Sequence, residues 1–193
     1  MAESPRRRHL LEAAVQVITD EGLRGLTHRA VDRRAGLPEG SCSAYLRTRS
    51  ALQQALAEYV AQTLLADVDA LAERLRDAEH LDEEGIDAMV DLFSRWLDQR
   101  ELLVARLELT MAATRDPDLY RVLAVHRTRL VEVAGSVLVA PDKDRTDARA
   151  EALVASYDGV LLAALLKPAN RRRGFLRRSL ELLSTSVAAD GPV

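Results

Sequence analysis

The chain has 193 residues, 48% of them hydrophobic and 30% charged, so it can bury a core in one average domain or two small ones. Its single cysteine excludes a disulfide framework and a cysteine-based metal site. A net charge of −3 argues against a nucleic-acid partner if the chain is considered only as a whole.

The charge is unevenly distributed along the chain. Residues 1–50 contain nine arginines and six acidic residues, whereas the remainder contains 18 basic and 24 acidic residues. A basic N-terminal part on an acidic body is the electrostatic pattern of a small DNA-binding domain. The N-terminal segment is polar, and the longest apolar run, residues 160–166, is too short to span a bilayer. We therefore expect a cytoplasmic protein that does not insert into membranes.

The first predicted helix runs from Arg6 to Glu21 and ends at Gly22. A second begins after Thr27, whose hydroxyl suits an N-cap, and ends in a tight turn at Gly36, where positive φ costs glycine nothing. Pro38 predicts the start of a third helix. Two helices joined by such a turn are typical of a helix-turn-helix, whose second helix enters the DNA major groove.

Small and polar residues dominate this third helix and its end. Small side chains would let the backbone approach base edges, and hydroxyl and guanidinium groups would donate to phosphates. The small residues are Gly40, Ser41, Ser43 and Ala44, and the donors are Tyr45, Arg47, Thr48 and Arg49. An ordinary helical hairpin with a solvated basic end is the alternative.

Six further helices follow, and no strand pattern is evident, so the predicted fold is all-α. Their apolar residues recur at helical spacing. Asp82 and Asp116 are predicted N-caps, and Pro141 and Pro168 are predicted helix ends. The predicted helices run from Arg49 to about Ala78, from Asp82, from Arg100 to about Arg115, from Pro117 to about Val139, from Asp147 to Leu166 and from Arg171 to Val187.

The last two helices are more apolar than surface helices of a monomer, which predicts a partner that covers them. Closure of a monomer core by the same helices is the alternative. Small residues that would permit close helix approach are Ala155, Ser156, Gly159, Ala163 and Ala164.

Signals for catalysis, metals and cofactors are missing from the sequence. The four histidines are scattered, and neither a Gly-x-Ser-x-Gly turn nor a phosphate-binding glycine-rich loop occurs. Arg106, Glu108 and Asp158 lie in apolar helical runs, where they could be structural pairs, surface charges or ligand contacts. For Cys42, burial is favoured over an oxidant-sensing thiol.

The segment from Arg7 to about Tyr59 resembles the DNA-binding domain of the TetR (tetracycline-repressor) family, in a pattern associated with actinobacteria. The matching features are the acidic-glycine pair Glu21-Gly22, Gly40-Ser41 at the start of the recognition helix, and the run at residues 49–52. Leu46 stands where phenylalanine is usual, and residues 42–44 also depart from the best-known members. The resemblance covers about a quarter of the chain.

This resemblance implies a ligand-responsive repressor that binds a palindromic operator as a homodimer through its last two helices. It implies a DNA-binding domain at residues 1–50 and an effector-binding and dimerisation domain at residues 51–193. The motif places Arg29, Glu39, Gly40, Ser41, Ser43 and Ala44 towards bases, and Thr27, His28, Tyr45, Arg47, Thr48 and Arg49 towards phosphates. A helical protein-interaction module without DNA binding is the alternative, and an enzyme is a weaker third.

An effector site is expected between helices of the C-terminal domain, where the family places such sites. Met and aromatic side chains at helical spacing suit a pliable apolar cavity, although an ordinary filled core would show the same pattern. The candidate residues are Met89, Phe93, Trp96, Leu103, Arg106, Leu107, Met111, Tyr120, His126 and Tyr157. His126 or Arg106 would anchor the effector, with Glu108 as a counter-charge.

Overall fold

A computed structural model describes residues 4–75, 83–136 and 143–188, and within these ranges the chain forms nine helices and no strand. This confirms the predicted all-α class. The helices are α1 (Pro5–Gly25), α2 (His28–Arg34), α3 (Ser41–Tyr45), α4 (Arg49–Arg74), α5 (Glu83–Asp98), α6 (Arg100–Ala113), α7 (Pro117–Ser136), α8 (Lys143–Leu165) and α9 (Ala169–Ala188). None of these helices is long and apolar enough to cross a membrane.

Several helix boundaries follow the predicted capping and termination signals. Gly22 interrupts α1 with φ 67° and ψ −178°, so the regular first helix ends where the glycine predicted. Asp116 caps α7, because its Oδ1 accepts the amide N–H of Leu119 at 3.1 Å. The predicted features at Ala78, Asp82, Val139 and Pro141 lie outside the described residues. Helix α8 begins four residues earlier than expected, at Lys143.

The chain divides into two compact units. The first comprises Met1–Leu64 and Glu101–His126, where α2 and α3 pack on α1. Its core side chains are fully buried. The largest are Leu10, Leu11, Ile18, Leu26, Leu52, Leu56, Leu109 and Leu119. Helix α6 belongs to this unit as well, and Thr19 on α1 donates a 3.2 Å hydrogen bond to the Glu101 carbonyl.

The second unit comprises Leu65–Arg100 and Arg127–Val193, and in its described part α5 packs against α8 and α9. Leu97, Leu176 and Leu180 are buried in its core. The Arg172 guanidinium on α9 donates to the Leu97 carbonyl at 3.2 Å and to the Lys167 carbonyl at 3.1 Å. The Leu97 carbonyl lies in the last turn of α5, where helix geometry leaves acceptors open, and Lys167 lies in the turn that follows α8.

Candidate DNA-binding interface and effector region

Helix α2 has the beginning and the end that the sequence predicts. The Thr27 hydroxyl accepts the Ala30 N–H at 3.2 Å, while Ala30 and Val31 are buried. At the other end the Leu37 N–H donates to the Asp32 carbonyl at 2.9 Å, and the Gly36 N–H donates to the Arg33 carbonyl at 3.2 Å. Gly36 has φ 65°, as this glycine-dependent helix termination requires.

The start of α3 differs from the prediction. The helix begins at Ser41 and not at Pro38, whose carbonyl instead accepts the Ser41 N–H at 3.2 Å in a preceding turn. The N-cap is Gly40 with φ 93°, which provides no capping side chain. The cap comes from Asp32 on α2, whose Oδ2 accepts the Gly40 N–H at 2.8 Å and whose Oδ1 accepts the Cys42 N–H at 2.7 Å. Asp32 is only 1% exposed.

Sequence analysis missed this role of Asp32. Its position was read as one charge among several in a basic segment, because a capping contact over eight residues has no local spacing rule. The available signal was an N-cap glycine without a capping side chain, preceded by an acidic residue on a short helix. Such a helix start requires an acceptor from elsewhere in the fold.

His28 bonds to the opposite end of α3. Its Nε2 is within hydrogen-bonding distance of the Leu46 carbonyl, so this nitrogen carries the proton and donates. The ring is half-buried. The motif predicted that His28 faces a phosphate, but in this structure the Nε2 donor is used inside the domain.

None of the twelve predicted DNA-binding residues is buried. Nine are exposed, and His28, Ser41 and Ser43 are half-buried. Arg29 and Glu39 form an ion pair at 3.8 Å with side chains 81% and 79% exposed, so water screens this pair strongly.

Two of the predicted phosphate donors also have roles within the first unit. The Arg49 Nη2 donates to the Leu23 carbonyl at 2.8 Å, and this bond occupies one of the N–H donors of the guanidinium. The Thr48 hydroxyl oxygen accepts the Ala51 N–H at 3.0 Å and caps α4, as predicted. Both side chains are exposed, so their remaining donors face solvent.

Cys42 is buried, as the sequence favoured. Its side chain is fully enclosed, and burial, with a smaller contribution from the Asp32 charge, raises the pKa of the thiol to about 11. The thiol is therefore neutral at physiological pH and inaccessible to oxidants. These properties argue against the oxidant-sensing alternative.

Three predicted effector residues form an aromatic cluster in the second unit. The Phe93 and Trp96 rings stack with centroids 5.6 Å apart, and Tyr157 lies edge-on to Phe93 at 5.8 Å. The Trp96 Nε1 donates a 2.7 Å hydrogen bond to Oδ2 of Asp67, a residue that sequence analysis did not select. Burial raises the pKa of Tyr157 to about 12, so its phenol stays neutral. Met89 on α5 is buried as well.

The other predicted effector residues lie in the first unit. Leu103 is buried, and Arg106, Leu107 and His126 are half-buried. Met111 and Tyr120 are 60% and 61% exposed, so neither side chain is part of the buried core of this unit. Helical spacing grouped them with buried positions, but it does not show which face a neighbour covers.

His126 pairs with an acid other than Glu108, the predicted counter-charge for His126 or Arg106. The His126 Nε2 pairs with Glu58 on α4 at 3.0 Å. Glu108 instead accepts the Leu23 N–H at 3.2 Å, next to the break at Gly22. Asp158 pairs with Arg127 at 2.6 Å, which supports the structural interpretation of this acid.

An open cleft of about 380 Å³ lies beside this contact in the first unit. It was not expected from the sequence. Its walls combine two acids, two arginines and apolar groups, and the exposed Met111 lies at its edge. The lining residues are Glu21, Gly22, Leu23, Arg24, Glu108, Met111, Ala112 and Arg115.

Helix α8 presents an uncovered stripe of small and apolar residues. Ala155, Gly159 and Leu162 on α8 follow one another at helical spacing and are exposed, and so is Leu166 directly after the helix. Leu182 on α9 is exposed as well. The predicted small-residue set does not form one face, however, because Ala164 is fully buried.

Residues 80–185 match the family model described as the tetracyclin repressor-like C-terminal domain. The match covers more than half of the chain. The chain belongs to the TetR family of transcriptional regulators. This confirms the resemblance that was inferred from the N-terminal motif. The family model matches the C-terminal part of the chain, so the two lines of evidence rest on different residues.

Curated relatives agree with this assignment to the TetR family. The HTH-type transcriptional regulator BetI of Escherichia coli (strain K12) is 27% identical over 176 residues, 89% of each chain. BetI of Cronobacter sakazakii (strain ATCC BAA-894) is 28% identical over 164 residues, 83% of this chain and 80% of that protein.

Solved structures share the whole fold of this TetR-family chain. A member of the TetR family from Streptomyces coelicolor A3 has 27% identity and a TM-score of 0.75, covering 94% of this chain and 99% of its own. The multidrug binding protein EbrR in complex with ethidium has 27% identity and a TM-score of 0.69, covering 93% and 98%. A transcriptional regulator from Rhodococcus sp. Rha1, at 19% identity and TM-score 0.78, covers 98% and 99% and supports the fold alone.

Membership of the TetR family decides between the functional classes that the sequence left open. The chain is a DNA-binding transcriptional regulator and not an enzyme. Nothing supports a helical interaction module without DNA binding.

Proposed function

We propose that this regulator represses transcription as a homodimer bound to a palindromic operator, and that a small-molecule effector releases it. The observation that carries the proposal is the exposed surface of α2 and α3, where all predicted DNA-facing residues are accessible to at least some degree. A recognition helix with small residues, Gly40 at its N-cap and Ser41 and Ala44 within it, permits close approach to base edges.

The proposed interface divides into two groups. Residues towards bases are Arg29, Glu39, Gly40, Ser41, Ser43 and Ala44. Residues towards phosphates are Thr27, Tyr45, Arg47, Thr48 and Arg49. The excess of arginine in residues 1–50 supports this arrangement, because lysine and arginine contacts to phosphate release counterions and supply affinity for any sequence.

The proposed dimer uses the exposed stripe of α8 together with α9. An apolar face left open on a protomer favours a partner surface. Gly159 supports this choice, since a Cβ at this position would meet no atom within 4 Å in the protomer. A two-fold dimer would place two recognition helices about one turn of DNA apart, which matches a palindromic operator.

The proposed effector site lies at the aromatic cluster of Phe93, Trp96 and Tyr157, with Met89 beside it on α5. Aromatic walls with few polar groups are typical of small-molecule sites. EbrR, with which the chain shares its fold, forms complexes with ethidium, proflavin and malachite green. These compounds are therefore suitable first probes.

The functional boundary stays a proposal, with DNA binding in residues 1–50 and effector binding and dimerisation in residues 51–193. The compact units divide the chain differently, because they reflect packing and include α6 in the first unit. A cytoplasmic location also remains an expectation.

Binding to the DNA upstream of the protein's own gene tests the proposal. We expect a specific complex whose affinity falls steeply with salt, with one dimer per site, and release by an effector found in a compound screen. The control is a shuffled duplex of equal length and composition. The proposal would be contradicted if the protein bound the upstream duplex and the shuffled duplex with equal affinity, and if a duplex selected from a random pool were also bound no more tightly than the shuffled one.

A further inference from the structure

The recognition helix α3 cannot maintain its own position. It has five residues, and its N-cap, Gly40, has no side chain to accept the first amide groups. Helices of this length are unstable in isolation, because forming the first turn orders several residues for one hydrogen bond. The orientation of α3 must therefore come from contacts with neighbouring elements.

Helix α2 makes hydrogen bonds with both ends of α3. At the N-terminal end, the two carboxylate oxygens of Asp32 accept the N–H groups of Gly40 and Cys42 at 2.8 Å and 2.7 Å. At the C-terminal end, the His28 ring donates to the Leu46 carbonyl. His28 and Asp32 are four residues apart, so they lie on the same face of α2.

The chemistry of the His28–Asp32 pair matches the polarity of α3. An anionic acceptor at the N-terminus and a donor at the C-terminus complement the partial charges of the helix ends. The Asp32 bonds are charge-assisted and shielded from water, since the side chain is 1% exposed. The pair therefore restrains both the tilt and the rotation of α3 on α2.

We propose that His28 and Asp32 are positioning residues for operator recognition, and that His28 acts through α3 and not by contacting a phosphate. The inference rests on the proposed DNA interface. Phosphate contacts supply affinity for all sequences, whereas base contacts require the recognition helix in its correct orientation. Loss of the pair will therefore reduce specific binding and leave non-specific binding nearly unchanged.

Two variants of His28 separate the roles. His28→Gln keeps an N–H donor near the position of Nε2, whereas His28→Leu removes the donor at similar size. Binding is measured to a duplex selected from a random pool by the wild-type protein, and to a shuffled duplex of equal composition. We expect His28→Leu to lose about tenfold or more in the ratio of specific to non-specific affinity, and His28→Gln to recover most of it.

Asp32→Asn tests the other end of α3. The amide keeps one acceptor oxygen, but its NH₂ group cannot accept an amide N–H, so one bond to α3 is lost. We expect the specificity ratio to fall by about tenfold or more while the salt dependence of non-specific binding stays the same. Val31→Ala is the control, because it truncates a buried residue of α2 without removing a hydrogen bond to α3.

The outcomes separate this inference from the proposed function. A parallel loss of specific and non-specific affinity in His28→Leu would assign His28 to a phosphate contact and overturn its positioning role. If Val31→Ala and Asp32→Asn have matched unfolding midpoints and lose specificity equally, Asp32 acts only by stabilising the fold and its positioning role is overturned. A wild-type protein that selects no duplex would overturn the proposed function itself.

Discussion

The indole N–H of Trp96 on α5 donates a 2.7 Å hydrogen bond to the carboxylate of Asp67 on α4, beside the ring of Phe93. Trp96 is 9% exposed, so its donor would find no adequate replacement in water. The bond therefore orients the only tryptophan of the chain, within the proposed effector site.

Asp67→Ala should lower the free energy of unfolding by about 1–3 kcal/mol, because it leaves the buried indole donor unsatisfied. It should also change the tryptophan emission. Denaturant titration followed by fluorescence measures both effects. Asp69→Ala is the control, since Asp69 makes a solvent-exposed 3.4 Å pair with Arg129. Equal effects of the two variants would contradict the assigned role of Asp67.

Effector binding at the aromatic cluster should quench Trp96 fluorescence and release DNA. Ethidium, proflavin and malachite green serve as probes in titrations with and without a bound operator duplex. Trp96→Phe should keep the fold, because it preserves an aromatic ring against Phe93, but it should abolish the quenching signal. Release of DNA by a compound that leaves Trp96 emission unchanged would place the effector elsewhere.

Gly159→Glu should convert the proposed dimer to monomers and abolish operator binding. Gly159 is exposed and a Cβ at this position meets no atom within 4 Å in the protomer, so a loss of assembly would come from the partner surface. Sedimentation at micromolar concentration measures the oligomeric state. Ala70→Glu places the same charge on an exposed site of α4 and should leave the dimer intact. A wild-type monomer under these conditions would exclude the dimer.

Arg47→Ala and Arg49→Ala should each weaken binding to all duplexes and reduce the slope of log K against log salt by about one. Only Arg49→Ala should also reduce stability, because the Leu23 carbonyl loses one of its two donors and keeps the Leu26 N–H at 3.3 Å. Salt titrations and unfolding curves measure these effects. An unchanged slope in both variants would show that neither guanidinium contacts phosphate.

Arg29→Ala should change sequence preference and not merely affinity. Its guanidinium extends from the exposed face of α2 and is paired only weakly with Glu39. Loss of a base contact should cost about 1–3 kcal/mol at one operator position. Affinities for a set of duplexes with single base-pair changes would reveal the position. A uniform loss across the set would identify a phosphate contact instead.

The Cys42 thiol should make stability fall at alkaline pH. Its pKa is about 11 in the folded chain, above its ordinary value of 9.0, so the unfolded chain loses this proton first. The contribution of the protonated Cys42 thiol to the free energy of unfolding is fully present below about pH 9 and decreases as the pH rises towards 11. Urea midpoints should show this decline in the wild type and less of it in Cys42→Ala. Rapid alkylation of the native thiol at pH 8 would contradict its burial.

Local sequence patterns were sufficient to predict the helical class and the positions of several helix ends. Thr27, Gly36 and Asp116 act through atoms within a few residues of themselves, so local spacing was sufficient to assign them. The arginine excess in residues 1–50 and the glycine turn indicated a DNA-binding domain, with an ordinary helical hairpin as the alternative, and the resemblance to the TetR family favoured DNA binding.

The pairing of polar side chains from different helices depends on the folded chain and could not be predicted from the sequence. Asp32 reaches α3, Asp67 reaches Trp96, and Glu58 takes the place predicted for Glu108 beside His126. These partners lie between eight and 68 residues apart, and helical periodicity shows which residues share a face but not which element covers it. For the same reason Met111 and Tyr120 looked like core residues in the sequence and proved to be exposed.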